Sequence, residues 1–270
     1  MLRGIDATKA GMMSILEYND NIAHSLANAN TPAFKQTAIT FKNIQDTAIN
    51  AMRRGQYNLD GTSQIGSLSQ GSKSDTYSID FTQGLIKDTG RNLDFAINGD
   101  GFFRLKMADG SYKYTRNGTF EILTDGTVTD IQGNPVMNDK EVVKIPTMIK
   151  VNDKEVPVDF GKLMVKSNGE IYYEKKQCGK IDLFDFADKS KVMDLGENKY
   201  ISMDEKTNPA KLLSNPTIRQ GALEMSNANS IMSLINSMNA QRAYESMSNV
   251  MQTNSTTLQK TINSVGKVAE

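Results

Sequence analysis

The fold of this chain is decided near its start, where residues 4–29 read GIDATKAGMMSILEYNDNIAHSLANA. Mostly apolar side chains recur there at alternating spacings of three and four: Ile5, Thr8, Met12, Ile15, Asn19, Ile22 and Leu26. Such a repeat is typical of a helix that packs along another helix. We predict one long helix, which Pro32 stops. A second apolar set is expected to widen its buried stripe: Met13, Leu16, Ala23 and Ala27.

The other end of the chain carries a matching repeat. Its members are Tyr244, Met247, Met251, Asn254, Leu258, Thr261, Val265 and Val268. Before it, Ile231, Leu234 and Met238 form an apolar stripe that is offset from this repeat. We predict a helix from Ser226 to about Val265 whose stripe slips once, between Met238 and Tyr244.

Both ends carry few charged side chains. From Gly221 to Lys260 the charged residues are Glu224, Arg242, Glu245 and Lys260. A helix with a solvated outer face usually carries charges on that face. We therefore expect these helices to be buried among several neighbours, and the alternative interpretation is an ordinary helix bundle within one subunit.

Between the ends, the sequence predicts short strands and glycine turns. Phe103 and Leu105 alternate up to the turn at Asp109-Gly110, and Tyr112 and Tyr114 return from it. This is a hairpin pattern. Earlier in the chain, the polar stretch Tyr57–Ser72 is expected to be extended or loosely structured.

Together these patterns predict an α+β fold. Its N- and C-terminal helices are expected to form a coiled-coil-like helical domain, and the central region is expected to be β-rich. The predicted domains are residues 1–35 with 222–270 for the helices, 36–90 for a connecting arm, and 91–221 for a β-rich outer domain.

The composition excludes several classes of protein. The 270 residues include 31 basic and 31 acidic side chains, so no nucleic-acid partner is expected. With one cysteine and one histidine, neither an internal disulfide nor a site with two imidazoles can form. Charges at Arg3, Asp6 and Lys9 interrupt any secretory signal peptide, so export would need another route.

No motif predicts a catalytic, cofactor-binding or metal site. Gly99-Asp100-Gly101 lacks the remaining features of a phosphate loop and is expected to be a turn. The acids Asp182, Asp185 and Asp188 lack the spacing of a calcium loop and are expected at the solvated surface. A hydrolase on the β-rich region is the enzymatic alternative. It would need a cleft that holds Asp94, Asp100 and Asp125.

Residues 21–35 read NIAHSLANANTPAFK and resemble the N-terminal signature of bacterial flagellar rod and hook proteins. Four further segments resemble this family in its own order: LDFAINGDGFF at 93–103, YTRNGTF at 114–120, GALEMSNAN at 221–229 and QRAYE at 241–245. The matching motif residues are Asn28, Asn30, Thr31, Phe34, Lys35, Gln241 and Arg242. Ala33 stands where the family usually has glycine.

The resemblance implies a structural subunit of the flagellar basal-body rod, of the distal-rod or proximal-rod type. Such subunits polymerise into a helical tube that transmits torque from the motor to the hook. A hook-type axial protein, or a cap or assembly factor of the axial structure, is the alternative. The resemblance implies no enzymatic activity, no cofactor and no small-molecule substrate.

The resemblance also implies partners and a location. The partners are copies of the chain itself, other rod proteins, the hook protein, the bushing ring proteins around the rod, and the flagellar export apparatus. The location is the periplasm-spanning basal body, reached by type III export without a cleavable signal peptide. The expected subunit-interface residues are Ile5, Thr8, Met12, Ile15, Asn19, Ile22, Leu26, Leu234, Met238, Tyr244, Met247, Met251, Leu258 and Val265.

Overall fold

The computed structural model describes residues 2–43, 47–50, 64–68, 71–146, 148–151, 154–157, 160–173 and 176–266. In these ranges an α-helix lies at each end of the chain, with short strands between the two. The predicted α+β class with terminal helices is thereby confirmed. Of the stretch Tyr57–Ser72, residues 57–63 and 69–70 lie outside the described residues. No described helix has the length and apolar character that a membrane span requires.

The two helices begin and end near their predicted positions. Helix α1 spans Leu2–Ala27 and helix α2 spans Ser230–Gly266. Turns follow α1, where the backbone N–H of Thr31 donates to the carbonyl of Asn28 at 3.1 Å. Pro32 then prevents the helix from continuing.

The strands are short and are numbered in chain order. The first half of the chain contains β1 (Thr37–Asn43), β2 (Thr47–Asn50), β3 (Gln64–Leu68), β4 (Ser72–Ile79), β5 (Ile86–Asp88), β6 (Phe95–Ile97), β7 (Phe103–Lys106), β8 (Tyr112–Thr115), β9 (Phe120–Ile122), β10 (Val128–Asp130) and β11 (Val136–Met137). The second half contains β12 (Met148–Val151), β13 (Lys154–Pro157), β14 (Met164–Val165), β15 (Glu170–Tyr173), β16 (Lys176–Lys180), β17 (Phe184–Asp185), β18 (Val192–Asp194), β19 (Lys199–Ser202), β20 (Lys211–Leu212), β21 (Ile218–Gln220) and β22 (Ala222–Glu224). Single 3-10 turns lie at Phe160–Lys162 and Lys189–Lys191.

The widest sheet has five antiparallel strands in the order β11-β7-β8-β19-β18. The predicted hairpin is confirmed, because β7 and β8 pair with Phe103 opposite Thr115. A three-stranded sheet has the order β14-β15-β16. The remaining strands form two-stranded pairs: β1-β4, β2-β3, β5-β22, β6-β21, β9-β10, β12-β13 and β17-β20.

The apolar core lies among these strands. Phe103 and Leu105 alternate along β7, so both point to one face of the sheet, and both are fully buried. They pack in a cluster that also contains Phe95, Ile97, Phe120, Val128, Val136, Val143, Ile145, Leu163, Ile171, Tyr173, Ile181, Leu183 and Ile218. A second cluster contains Phe102, Phe186, Val192 and Tyr200.

The chain divides into two compact units. Unit 1 comprises Met1–Leu26, Thr37–Ser78 and Ser230–Glu270, and includes the helices. Unit 2 comprises Ala27–Gln36 and Ile79–Asn229, and includes both apolar clusters. The segment that follows α1 and the segment that precedes α2 therefore both belong to unit 2.

Within unit 1 the two helices contact each other in antiparallel directions. A Cβ added at Gly11 would lie 3.0 Å from the Met247 sulfur. The Ser237 hydroxyl donates to Asn19 Oδ1 at 2.9 Å. A Cβ at Gly4 would lie 3.9 Å from Asn254 Nδ2. The start of α1 thus lies beside the later part of α2.

Candidate functional site

The predicted stripe on α1 is partly buried within the single chain. Ile22 is buried, and the other members have intermediate exposure: Ile5, Thr8, Met12, Ile15, Asn19 and Leu26. The expectation that a second apolar set widens this stripe is wrong for the single chain, since its members are exposed: Met13, Leu16, Ala23 and Ala27. The other buried face of α1 holds small residues instead. There the Ser14 hydroxyl donates to the Ser72 carbonyl at 2.9 Å.

On α2 the stripe that faces α1 continues without the predicted slip. Tyr244, Met247, Met251 and Leu258 have intermediate exposure, as expected for its later part. Its earlier part is formed by small residues that maintain the spacing of three and four: Ser233, Ser237 and Ala240. Because these side chains are short or polar, hydrophobicity alone did not identify them. Val265 belongs to α2, but its side chain lies outside the described residues.

The predicted stripe of Leu234 and Met238 consequently lies on the outer face of α2. These side chains are 52% and 53% exposed, and the adjacent Ile235 is 46% exposed. Further along the helix, Val250 and Ile262 are also exposed. Apolar side chains that are exposed close together on one helix mark a surface suited to a protein partner.

A shallow groove of about 150 Å³ lies between the helices of unit 1. It is lined by Ile15, Leu16 and Asn19 from α1, and by Ala240, Gln241, Tyr244 and Glu245 from α2. The motif residue Gln241 borders this groove, and Arg242 beside it is exposed. Gln241 and Arg242 thus lie at the surface of the helix pair.

The motif residues after α1 build a compact turn. The Thr31 hydroxyl contacts Asn28 Oδ1 at 3.1 Å, whereas Asn30 is exposed. Ala33 is buried and adopts a φ of 58°, in the left-handed region that favours glycine. Its backbone N–H donates to the Glu224 carbonyl at 2.8 Å. The departure from glycine therefore falls at a position where glycine would relieve backbone strain.

The effect of a substitution at Ala33 on the free energy of unfolding should depend strongly on the shape of the new side chain. We expect Ala33→Gly to change the free energy of unfolding by less than about 1 kcal/mol, because about 1 kcal/mol of relieved strain offsets a lost buried methyl of about 0.8 kcal/mol. Ala33→Val should cost at least about 2 kcal/mol, since a β-branched residue is an outlier at positive φ. Urea unfolding of both variants measures the difference, and equal costs would contradict this explanation.

Phe34 and Lys35, the last motif residues of this segment, are both buried. The Lys35 ammonium lies 2.6 Å from Glu224 Oε1, and Arg116 Nε lies 3.0 Å from Glu224 Oε2. The side chains of Lys35 and Glu224 are 0% exposed. Three of the five resembling segments therefore meet in one buried ion-pair cluster, which contains Lys35, Arg116 and Glu224.

Backbone groups complete this ion-pair cluster. Lys35 Nζ donates to the Thr82 carbonyl at 2.6 Å, and the Gly84 N–H donates to Glu224 Oε1 at 2.9 Å. Arg116 also donates to the Gly99 carbonyl at 2.6 Å. Burial lowers the pKa of the Lys35 ammonium, while the hydrogen bond and negative charge of Glu224 act in the opposite direction. Arg116 and Glu224 were not predicted as site residues, although both lie within the resembling segments.

The carboxylates weighed for an enzymatic site are each engaged by neighbouring groups. A hydrogen bond from Lys189 and its positive charge lower the pKa of Asp100. Hydrogen bonds from the Thr127 backbone and hydroxyl lower the pKa of Asp125. Both carboxyls are therefore ionised near neutral pH and unsuited to act as general acids. Asp94 is buried and accepts from the Thr89 hydroxyl at 2.7 Å.

The expectation that Asp182 lies at the solvated surface is wrong. It is buried, and it accepts from the Asp139 backbone N–H at 3.2 Å. It also pairs with Lys180 at 2.8 Å. The carboxylate is thus held by a turn and a neighbouring cation, a non-local arrangement that acid spacing alone does not reveal.

Comparison with known proteins shows the family to which this chain belongs. Residues 96–173 match the flagellar hook protein FlgE/F/G D1 domain, and residues 219–264 match the C-terminal region of flagellar basal-body rod FlgEFG proteins. The chain is 30% identical to the flagellar basal-body rod protein FlgG of Bacillus subtilis, over 97% of this chain and 99% of that protein. The chain belongs to the flagellar basal-body rod protein family.

Other rod proteins show the same end-to-end similarity. The flagellar basal-body rod protein FlgF of Caulobacter vibrioides is 30% identical over 95% of each chain. FlgG of Buchnera aphidicola (subspecies Baizongia pistaciae) is 31% identical over 95% of each chain. This rod-family protein is accordingly a structural component of the flagellar basal body and not an enzyme. Of its ion-pair cluster, Arg116 falls in the first matched region and Glu224 in the second.

Proposed function

We propose that this rod-family protein, of the distal or proximal type, polymerises into a helical tube that transmits torque from the motor to the hook. The outer face of α2 carries the proposal, because Leu234, Ile235 and Met238 are about half exposed there. Burial of such side chains between copies would stabilise a polymer through the hydrophobic effect. The scarcity of charge on α2 also favours burial, since a charge without a partner is costly to remove from water.

We propose that α1 and α2 form a coiled-coil-like terminal domain, residues 1–35 and 222–270, that lines the inner tube. Residues 36–90 would form the connecting arm, and the β-rich residues 91–221 the outer layer. The contacts of Gly11 with Met247 and of Asn19 with Ser237 support this pairing. The proposed subunit-interface residues are those of the predicted stripes on α1 and α2. Among those whose side chains the structure describes, Leu234 and Met238 are the most exposed in the single chain.

The proposed partners are copies of the chain, other rod proteins, the hook protein, the bushing ring proteins and the flagellar export apparatus. Subunits would reach the periplasm-spanning rod by type III export, without a cleavable signal peptide. Isolated helices are marginally stable in water unless an apolar face is buried. We therefore expect the terminal helices to become fully ordered only on assembly.

Charge introduced on the outer face of α2 should abolish assembly without unfolding the subunit. In the full-length Leu234→Lys/Met238→Lys variant, we expect the free energy of unfolding to change by less than about 1 kcal/mol, because both positions are exposed. Polymers should be absent, since lysine ammonium groups are costly to bury without partners. Sedimentation and electron microscopy of the purified chain measure polymerisation, and complementation of a deletion strain measures motility.

Ile131→Lys is the matched control for this experiment. Ile131 is 63% exposed but lies in unit 2, so the same chemical change is made away from the helices. The control should polymerise as the wild type does. Deletion of residues 1–30 or 232–270 should leave a soluble, strand-rich protein that does not polymerise. Polymers of normal length from the double lysine variant would contradict the proposed interface.

A further inference from the structure

Three stretches of unit 2 that are far apart in the sequence meet at Glu224. The Ala33 N–H donates to the Glu224 carbonyl at 2.8 Å, and the Gly84 N–H donates to its carboxylate at 2.9 Å. The Asp80 N–H donates to the Gln36 carbonyl at 2.8 Å. Residues 33–36, 80–84 and 224–227 thus form one hydrogen-bonded junction, which we call the clamp.

Two side chains hold the clamp together. Lys35 joins Glu224 and the Thr82 carbonyl, each at 2.6 Å, and it is buried. Asn227 Oδ1 accepts from the Gln36 N–H at 2.8 Å, and Asn227 Nδ2 donates to the Asp80 carbonyl at 2.7 Å. Each side chain therefore bonds to more than one stretch at once. The Lys35 contacts are buried, so they are costly to break because water cannot replace them, whereas Asn227 is partly exposed.

The clamp lies where the helices are attached along the chain. Residues 33–36 follow α1, and residues 224–227 precede α2. Nearly all of unit 2 separates these stretches in the sequence. Bringing distant parts of a chain together costs conformational entropy that grows with the separation. A short tether avoids that cost and raises the effective concentration of one group near another.

We propose that Lys35 and Asn227 are positioning residues for the terminal helix pair. By joining the stretches before α2 and after α1, the clamp raises the effective concentration of α1 for α2 in the unassembled subunit. The inference rests on the proposed function, in which this helix pair is the assembling element. The clamp is formed within unit 2, so it does not require that the helices already be paired.

Disulfide formation between the helices measures this effective concentration. In full-length protein with Cys178→Ser, the substitutions Gly11→Cys and Met247→Cys place thiols at a direct helix contact, since a Cβ at residue 11 would lie 3.0 Å from the Met247 sulfur. Equilibration with glutathione buffers then reports the effective concentration. Adding Lys35→Met or Asn227→Ala should lower it at least about tenfold.

Arg116→Met is the matched control. It also removes a buried cation from Glu224, but Arg116 lies in none of the three clamp stretches. The hydrogen bonds that join the three stretches remain in this variant, so it should change the effective concentration by less than about twofold. Circular dichroism at the assay temperature establishes that the strands remain folded in each variant. Asn227→Ala removes no buried charge. If Lys35→Met unfolds unit 2, Asn227→Ala therefore still tests whether the clamp raises the effective concentration.

Equal effective concentrations in Asn227→Ala, Arg116→Met and the parent protein would overturn the proposal. The ion-pair cluster would then act only in stabilising unit 2. Polymerisation of the wild-type chain is a separate measurement. A wild type that does not polymerise contradicts the proposed function, whereas the thiol equilibrium still decides whether the clamp positions the helices.

Discussion

Replacing Glu224 with alanine should destabilise unit 2 by about 3–5 kcal/mol. The Glu224 carboxylate is 0% exposed and lies 2.6 Å from Lys35 Nζ and 3.0 Å from Arg116 Nε. Without it, both cations remain buried without an anion, and the Gly84 N–H loses its acceptor. Urea unfolding of the full-length chain, followed by the strand signal in circular dichroism, measures the loss.

Two comparisons separate this effect from the general cost of losing an ion pair. Arg219 lies 2.8 Å from Asp88, but both side chains are more than half exposed. Arg219→Ala should therefore cost less than about 1 kcal/mol. Replacing Lys35, Arg116 and Glu224 together with methionine should recover much of the loss, because no buried charge is left uncompensated. A Glu224→Ala cost as small as that of Arg219→Ala would contradict this account.

The helices could be predicted from the sequence because their repeat is local. The stripe from Tyr244 to Leu258 has the spacing of three and four that a packed helix requires, and it has intermediate exposure in unit 1. The predicted slip was wrong because the buried stripe continues towards the start of α2 through small and polar side chains instead of apolar ones. Ser233, Ser237 and Ala240 keep the same spacing, so continuing the period would have found the buried face without regard to hydrophobicity.

The strands were predictable only where pairing is local. The turn at Asp109-Gly110 and the alternation around it predict the pairing of β7 with β8, which is confirmed. The pairing of β8 with β19 joins Tyr114 to Tyr200, and no pattern in either strand indicates the other. Strand order in a sheet depends on such long-range contacts, which periodicity within one segment does not specify.

The ion-pair cluster illustrates the same limit for the candidate site. Lys35, Arg116 and Glu224 occur in three segments that resemble the rod family, but their charges are ordinary when each segment is considered alone. They differ from most charged residues because they are buried, and they become buried when the fold brings the three segments together. The resemblance marks Lys35 as a motif residue, whereas only the folded chain identifies the partners of the buried lysine.

Replacing Gly169 with alanine should destabilise unit 2 by about 3 kcal/mol or more. Gly169 has a φ of 84°, and an added Cβ would lie 2.1 Å from the Ile181 carbonyl oxygen. That carbonyl cannot withdraw easily, because the Ile181 N–H donates to the Gly169 carbonyl at 2.8 Å and the Ile181 side chain is fully buried. Backbone strain and a backbone collision therefore act together at this turn.

Gly133→Ala separates the two contributions. Gly133 has the same φ of 84°, but no atom would lie within 4 Å of an added Cβ. Its substitution should cost only the strain of the left-handed backbone, about 1 kcal/mol. The difference between the two variants in urea unfolding then measures the collision with Ile181. Equal costs would mean that the turn at Gly169 can move away from β16 and its buried neighbours, and that the close approach of these two backbone segments adds no stability to unit 2.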